Sequence, residues 1–228
     1  MDECNPVSTP MEPGNIFSNP VNDSQQDIQN KNIPYQKAIG SLMYLCQATR
    51  PDLAYCISTL SKYKNCYQSK HWTAVKRIMH YLQRTKDLCL TFSRIGSSDL
   101  VGYCDASWAP GPADPRSVTG YLFTLQGAAV SWNSKRQSTT ALSSTEAEYM
   151  SLASGTQEAV WIRGFAIELG IIQDTATKLY CDNKGALELA KNAHFISRTR
   201  HINFRHHFIK ELIEQGRSQL IFCCLRKC

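Results

Sequence analysis

Three acidic residues lie where the sequence predicts strand ends or the start of a helix, and their chemistry suits a metal site. Asp105 follows the apolar run LVGYC, Asp182 follows KLYC, and Glu148 falls in the first turns of a helix that begins near ALSS. Strand ends and first helical turns project side chains into one crevice, so acids far apart in sequence can converge there. Carboxylates that share a pair of metal ions are what magnesium-dependent cleavage of a phosphodiester requires.

Two glutamates compete for the helical position of this site. Ser143 and Glu146 match a capping box, in which the glutamate side chain bonds back to the start of the helix. Glu148 lies about 200° further around a helix of 3.6 residues per turn, so the two glutamates cannot share a face. Thr145 and Glu148 fit the capping pattern as well, and capping alone therefore does not choose between them.

The elements that must position these acids follow from hydrophobic periodicity. From Tyr35, apolar residues spaced three and four apart predict three helices, with Pro51 interrupting after the first. Leu88 opens a β region of four runs, and Gly127 marks a hairpin turn between the last two. A long helix closed by Gly170, a buried strand, a short helix, a basic helix and a final apolar strand follow. This order predicts an α/β fold with a five-stranded mixed sheet flanked by helices.

Composition divides the chain into three segments. Residues 1–33 are rich in Asn, Gln, Pro, Ser and Asp and are predicted to be a disordered or extended lead-in. Residues 34–87 form a small helical module, and residues 88–228 form the α/β domain. Tryptophan is expected in the core or in hairpin packing rather than on base-stacking platforms. This expectation applies to Trp108, Trp132 and Trp161.

Charge and cysteine usage restrict the class of protein. The chain has 25 basic and 19 acidic residues and a net charge of +6, which allows a polyanionic partner without requiring one. Its 10 cysteines are scattered without a CxxC spacing, which argues against a zinc site and favours reduced thiols. No signal-peptide pattern occurs, and no apolar run approaches about 18 residues. The sequence therefore predicts an intracellular protein, cytoplasmic or nuclear, with no membrane partner.

Several linked motifs resemble one family. The resemblance to the ribonuclease H domain of copia-type LTR retrotransposon Pol polyproteins rests on GYCDASWA, RSVTGYLFTLQGAAVSWNSKRQ, ALSSTEAEYMSLASGTQEAVWI, LYCDNKGALELAKN and RTRHINFRHHFIKE. TRPDLAYCISTLSKY and HWTAVKRIMHYLQRTKD are similar to the segment that joins the reverse transcriptase to that domain. The likeness runs over about residues 35–220. It implies a ribonuclease H-like fold for residues 88–228 and a reverse transcriptase tail, or connection, for residues 34–87.

The resemblance also implies a reaction and its catalytic residues. Members of the family cut the RNA strand of RNA–DNA hybrids with two Mg²⁺ ions, for which Mn²⁺ can stand in. Asp105, Glu148 and Asp182 would be both metal ligands and catalytic residues, with Asp105 bridging the two ions. In ribonuclease H sequences the catalytic glutamate heads an apolar run. Glu148 does so before YMSL, and we therefore select it over Glu146.

Contacts to the nucleic acid are expected from basic and polar residues near these acids. The alternative is that they are exposed turn charges, a helix start with a solvated lysine, and histidines on a solvated helix face. The partner would be an RNA–DNA hybrid or another nucleic acid. A separate reverse transcriptase would act beside the chain, since the sequence holds no YxDD polymerase motif. The candidate contact residues are Lys135, Arg136, Asn183, Lys184, His201, Arg205 and His207.

One expected feature of the family pattern is missing from the sequence. The resemblance implies a fourth carboxylate shortly after the last strand, but no Asp or Glu follows Glu214. Losing one oxygen ligand is expected to lower magnesium occupancy, because Mg²⁺ demands near-complete octahedral coordination. The pattern therefore indicates a C-terminally truncated domain. Two alternatives stand beside hydrolysis: a catalytically inactive remnant that only binds nucleic acid, and an inert Pol fragment.

Overall fold

The chain forms two compact units that divide between Leu90 and Thr91. We call them the helical unit and the sheet unit, and each has its own hydrophobic core. The computed structural model describes residues 5–12, 17, 33–94, 99–108, 115–171, 175–191 and 208–223.

Three α-helices lie among the described residues of the helical unit, as the periodicity predicted. The buried residues of the first helix recur at spacings of three and four, so one face of this helix enters the core. After it, Arg50 donates to Asp52 at 2.7 Å and to the Thr85 carbonyl at 3.2 Å, which joins the ends of two helices. The bounds are α1 Tyr35–Ala48, a 3₁₀ turn Pro51–Leu53, α2 Ala54–Ser61 and α3 Ser69–Arg84.

Part of the N-terminal lead-in is ordered against the helical unit. Residues 5–12 contain no helix or strand and lie along α3, where Arg77 forms a 2.9 Å ion pair with Glu12. Phe17 is buried beside Tyr63, whose hydroxyl donates to the Phe17 carbonyl at 2.6 Å. The described part of the lead-in therefore packs on the helical unit.

A five-stranded mixed sheet forms the centre of the sheet unit, which confirms the predicted fold class. The strands lie in the order β3-β2-β1-β4-β5; β1, β2 and β3 pair antiparallel, and β4 pairs parallel with both β1 and β5. The predicted hairpin turn is present, since Gln126 and Gly127 both have positive φ angles, 52° and 83°. The strands are β1 Val101–Ser107, β2 Val118–Leu125, β3 Ala128–Arg136, β4 Thr177–Cys181 and β5 Ser218–Phe222.

Helices flank this sheet and close its core. The long helix α4, Ser144–Glu168, packs on β1 and β2 and ends before Gly170, whose φ of 74° suits a helix C-terminus. The short helix α5, Lys184–Lys191, follows β4, and residues 208–214 belong to the predicted basic helix. Cys104, Phe123, Leu152 and Leu179 are among the fully or nearly fully buried core residues.

Two sequence predictions, one about the start of the β region and one about the tryptophans, are wrong in part. The run LCLTF forms no strand, and its Leu88 and Phe92 are 61% and 53% exposed. Trp108 and Trp161 are also exposed, at 52% and 62%, so neither lies in the core as predicted. Trp161 is on the outer face of α4, where its ring stacks on that of Phe165.

Two further observations concern the chemistry of the chain as a whole. Within the described ranges, no helix combines the length and the apolar character needed to cross a membrane. None of the cysteines in these ranges forms a disulfide.

Candidate metal centre

Two of the three predicted acids lie side by side because their strands are neighbours. In the parallel ladder of β1 and β4, Cys104 is the register partner of Cys181. Asp105 and Asp182 each follow one residue later, so both come at the same level of the sheet. Parallel pairing thereby places two carboxylates that are far apart in sequence at the same end of neighbouring strands.

The third acid comes from α4, and local capping decides which glutamate can reach the sheet. Ser143 Oγ accepts from the Glu146 N–H at 3.1 Å, and Glu146 Oε2 accepts from the Leu142 N–H at 2.8 Å. Glu146 is therefore engaged at the helix start, on the residue before the N-cap rather than on the N-cap itself. Glu148 is 8% exposed and lies on the face of α4 that packs on the sheet.

The structure brings Asp105, Glu148 and Asp182 together. One carboxylate oxygen from each lies within 4.8 Å of the other two. These oxygens fit a hard divalent cation such as Mg²⁺ or Mn²⁺, which prefers carboxylate ligands. In addition, Glu148 Oε2 is buried and has no hydrogen-bond partner among the described residues. A buried oxygen of this kind is available to a metal ion, so the arrangement fits the predicted group.

The electrostatics of the cluster favour a cation as well. Burial, followed by the negative charges of Asp105 and Asp182, raises the pKa of Glu148 to about 8. The pKa of Asp105 is also raised, first by loss of solvent around its carboxyl group and then by the charge of Asp182. Three crowded carboxylates thus repel one another, and a divalent cation between them would remove that repulsion.

Two contacts that hold these elements together were missed in the sequence. Gln137 Nε2 donates to the Ala147 carbonyl at 2.9 Å and to Thr119 Oγ1 at 3.0 Å, which ties the first turns of α4 to β2. Gly185 lets α5 approach α4, since a Cβ there would lie 3.1 Å from Thr145 Cγ2. A glycine inside a helical pattern is a signal of such close packing, whereas no local pattern shows that the Gln137 side chain is buried between α4 and β2.

The predicted nucleic-acid contacts on β3 lie away from the acids. Lys135 and Arg136 end this strand and are exposed. Lys135 pairs with Thr119, which pairs with Ala106, so Lys135 lies two strands from the residue after Asp105. At the usual strand spacing this is about 10 Å.

The remaining predicted contacts are near the acids or outside the described residues. Asn183 Oδ1 accepts from the Ala186 N–H at 3.0 Å and so caps α5. Lys184 is the exposed first residue of that helix. Three residues of the basic helix lie outside the described ranges: His201, Arg205 and His207.

The fold has a counterpart among solved structures. A foamy viral protease-reverse transcriptase (dRH) in complex with double-stranded DNA aligns with a TM-score of 0.52 and 15% identity, covering 87% of this chain and 34% of that one. LC11-RNase H1, isolated from compost, aligns with a TM-score of 0.41 and 15% identity over 56% of this chain and 84% of that one. The sheet order and flanking helices of the sheet unit are those of a ribonuclease H-like fold.

Sequence relatives extend over almost all of the chain, although no protein-family model matches it. The retrovirus-related Pol polyprotein from transposon TNT 1-94 of Nicotiana tabacum is 40% identical over 219 residues, 94% of this chain and 16% of that protein. The corresponding polyprotein from transposon RE1 of Arabidopsis thaliana is 36% identical over 97% of this chain and 15% of its own length.

A shorter relative matches more closely. The secreted RxLR effector protein 161 of Plasmopara viticola is 52% identical over 132 residues, which are 58% of this chain and 93% of that protein. The chain spans about 16% of the length of the Nicotiana tabacum polyprotein. Together these likenesses identify its family: the chain belongs to the copia-type, retrovirus-related Pol polyproteins of transposons.

Proposed function

We propose that the sheet unit hydrolyses the RNA strand of RNA–DNA hybrids by two-metal-ion catalysis with Mg²⁺. The observation that carries this proposal is the convergence of Asp105, Glu148 and Asp182 within 4.8 Å at one edge of the sheet. Membership of the Pol family and the ribonuclease H-like fold support the reaction class. A structural relative solved with double-stranded DNA supports nucleic acid as the partner.

Each acid has a role that follows from its position. Asp105 lies on the central strand β1, close to both other acids, and would hold metal together with them. Glu148 and Asp182 would complete the site from α4 and from the end of β4. Metal held by these residues would supply an activated water and a positive charge for the leaving 3′ oxygen.

Glu148 makes the site dependent on pH. Its pKa of about 8 means that it holds a proton at neutral pH when no cation is present. Binding a divalent cation requires the carboxylate form, so the proton leaves as the metal enters. We therefore expect metal affinity, and with it hydrolysis, to increase as pH rises toward about 8.

The exposed basic end of β3 would hold the backbone of the nucleic acid. Lys135 and Arg136 lie two strands away from the acids, so they would contact phosphates other than the scissile one. Asn183 would contact the substrate through Nδ2, because Oδ1 already accepts the cap bond of α5. A separate reverse transcriptase would be a second partner.

The test is cleavage of an end-labelled RNA strand, presented in an RNA–DNA hybrid with Mg²⁺. We expect the unchanged chain to cut the hybrid but not the same RNA alone, and Asp105→Asn to cut neither. A chain that melts cooperatively yet leaves the hybrid intact would contradict the proposal. Binding of the uncut hybrid that weakens steeply with salt would then identify a nucleic-acid-binding domain.

A further inference from the structure

We propose that Ser151 is a positioning residue that sets the distance between the Glu148 and Asp105 carboxylates by fastening α4 to β1. The proposal rests on the function proposed above for these acids. Ser151 follows Glu148 by three residues, which places both side chains on neighbouring positions of one helix face. It is fully buried where α4 crosses the sheet.

The hydroxyl of Ser151 bonds to the strand residue that carries an acid. Ser151 Oγ lies 2.6 Å from the Asp105 carbonyl oxygen and 3.0 Å from the Gly120 carbonyl oxygen. Asp105 and Gly120 are register partners of β1 and β2. One hydroxyl proton is thus shared between two carbonyls that face each other across the ladder, and this fastens α4 to β1 and β2 at Ser151.

Two other hydroxyl groups of α4 donate within the helix rather than to the sheet. Ser154 Oγ donates to the Met150 carbonyl at 3.0 Å, and Thr156 Oγ1 donates to the Leu152 carbonyl at 2.8 Å. Both bonds run to the residue four positions earlier, the usual partner of a helical serine or threonine. Ser151 instead donates to the sheet, so its hydroxyl links two elements that each carry one of the acids.

A glycine one turn later allows the helix to lie close enough for this bond. Gly155 follows Ser151 by four residues and is buried, and a Cβ added there would overlap Cys104 Sγ. The backbone of α4 therefore lies directly against β1 at the residue before Asp105. Ser151 holds the helix in this position, and Gly155 leaves the room for it.

The consequence concerns metal binding rather than folding alone. Ligands of a functional site must be held within about 0.5 Å of the productive geometry. If the helix moves away from β1, Glu148 moves with it while Asp105 stays on its strand. The metal ligands would then lie further apart, although the core of the unit would remain largely intact.

Direct binding of Mn²⁺ to the full chain, followed by the electron paramagnetic resonance signal of the free ion, tests this inference. We expect Ser151→Ala to weaken Mn²⁺ binding by roughly 10-fold or more, as loss of a residue that orients a ligand does. Ser154→Ala is the matched control, because it removes a hydroxyl that bonds only within α4. It should bind Mn²⁺ as the unchanged chain does.

A glycine pair provides an independent second test. Gly155→Ala should push α4 from β1 and weaken Mn²⁺ binding, whereas Gly164→Ala should not, since a Cβ at Gly164 meets nothing within 4 Å. If Gly155→Ala does not fold, Ser151→Ala decides the matter. Equal Mn²⁺ affinity of Ser151→Ala and Ser154→Ala would overturn the inference and leave the proposed function standing.

A metal-free measurement separates this inference from the proposed function. At pH 9, above the pKa of about 8 of Glu148, Asp105→Asn and Glu148→Gln each remove the repulsion between these two carboxylates. The double variant should therefore gain less in Tm than the sum of the two single gains. We expect the shortfall to shrink in the Ser151→Ala background, because the two carboxylates lie further apart. An unchanged shortfall would overturn the inference. Absence of Mn²⁺ binding by the unchanged chain would instead overturn the proposed metal site.

Discussion

Glu146 and Glu148 are two residues apart but have different surroundings. Glu146 accepts a backbone N–H at the start of α4, whereas Glu148 is buried against two other acids. Glu146→Ala removes the bond to the Leu142 N–H but keeps the Ser143 cap, so it should lower stability by about 0.5–1.5 kcal/mol without abolishing cleavage of the hybrid. Glu148→Gln should abolish cleavage. Its Tm in EDTA should be unchanged at neutral pH, where Glu148 holds a proton, and higher above the pKa of about 8, where the substitution removes charge repulsion. Thermal melts and the cleavage assay on both variants check this, and the reverse pattern would identify Glu146 as the ligand.

A second prediction at this scale concerns pH in the absence of metal. The folded chain holds the Glu148 proton up to a pKa of about 8, whereas an unfolded glutamate loses it near its usual pKa of 4.5. Between these values the folded state binds more protons, so the free energy of unfolding must fall as pH rises. We expect the Tm measured in EDTA to show this decrease. In Glu148→Gln the decrease should be much smaller, and an equal decrease would show that Glu148 ionises normally.

The sequence locates some residues of the site better than others. Asp105 and Asp182 were predictable because each directly follows an apolar strand run, and strand ends meet at one sheet edge. Ser151 was not, because the two carbonyls that it bonds lie 46 and 31 residues away in the chain. Contacts of this kind depend on where a helix crosses a sheet, and no local sequence pattern encodes that position.

At the scale of elements, the packing of β1 leaves no room for a side chain at Gly102. A Cβ there would lie 2.5 Å from Phe123 Cε1 and 2.6 Å from Leu179 Cδ2, both in the core. Gly102→Ala should therefore destabilise the sheet unit by about 1–3 kcal/mol, as overpacking of a core does. The measurement is the free energy of unfolding in urea.

Gly120 provides the control for this prediction. A Cβ at Gly120 would make only an ordinary contact, 3.6 Å from the Asp105 carbonyl oxygen. Gly120→Ala should be neutral or should stabilise the strand by up to about 1 kcal/mol, since glycine is unfavourable in a strand interior. Equal losses from both substitutions would show that the core accommodates a methyl group at Gly102.

The elements themselves were largely predictable, and the exception has a physical reason. The hairpin at Gly127 and the end of α4 at Gly170 depend on local backbone conformation, which the sequence encodes directly. The run LCLTF has strand-like composition but forms no strand in the structure. A strand also needs a neighbour with which to pair, and composition does not reveal whether one is present.

At the scale of the whole molecule, the two units should respond to pH in opposite directions. In the helical unit, His71 is fully buried and accepts the Gln68 N–H through Nδ1 at 2.8 Å. Burial, followed by the charge of Lys70, lowers the pKa of His71 to about 4. An unfolded histidine binds its proton near 6.5, so the helical unit loses stability as pH falls from about 6.5 to about 4. The sheet unit, through Glu148, loses stability as pH rises.

Hydrogen exchange of the full chain, resolved by peptide and corrected for the intrinsic pH dependence, can separate the two units. We expect protection of the helical unit to fall in acid and protection of the metal-free sheet unit to fall in alkali. His71→Gln should reduce the acid effect, since glutamine can accept the same backbone N–H without titrating. Parallel changes in both units would show that neither His71 nor Glu148 determines the response.

The most direct test of the central claim is the single-turnover rate at which the RNA strand of a hybrid is cut in Mg²⁺. The unchanged chain is compared with Asp105→Asn, Glu148→Gln and Asp182→Asn, each checked by thermal melting. We predict that every variant melts at the same temperature as the unchanged chain or higher, and that its rate falls by about 100-fold or more, as expected when a metal ligand is lost. A variant that keeps the full rate would show that its carboxylate binds no catalytic metal, and the claim would then be contradicted.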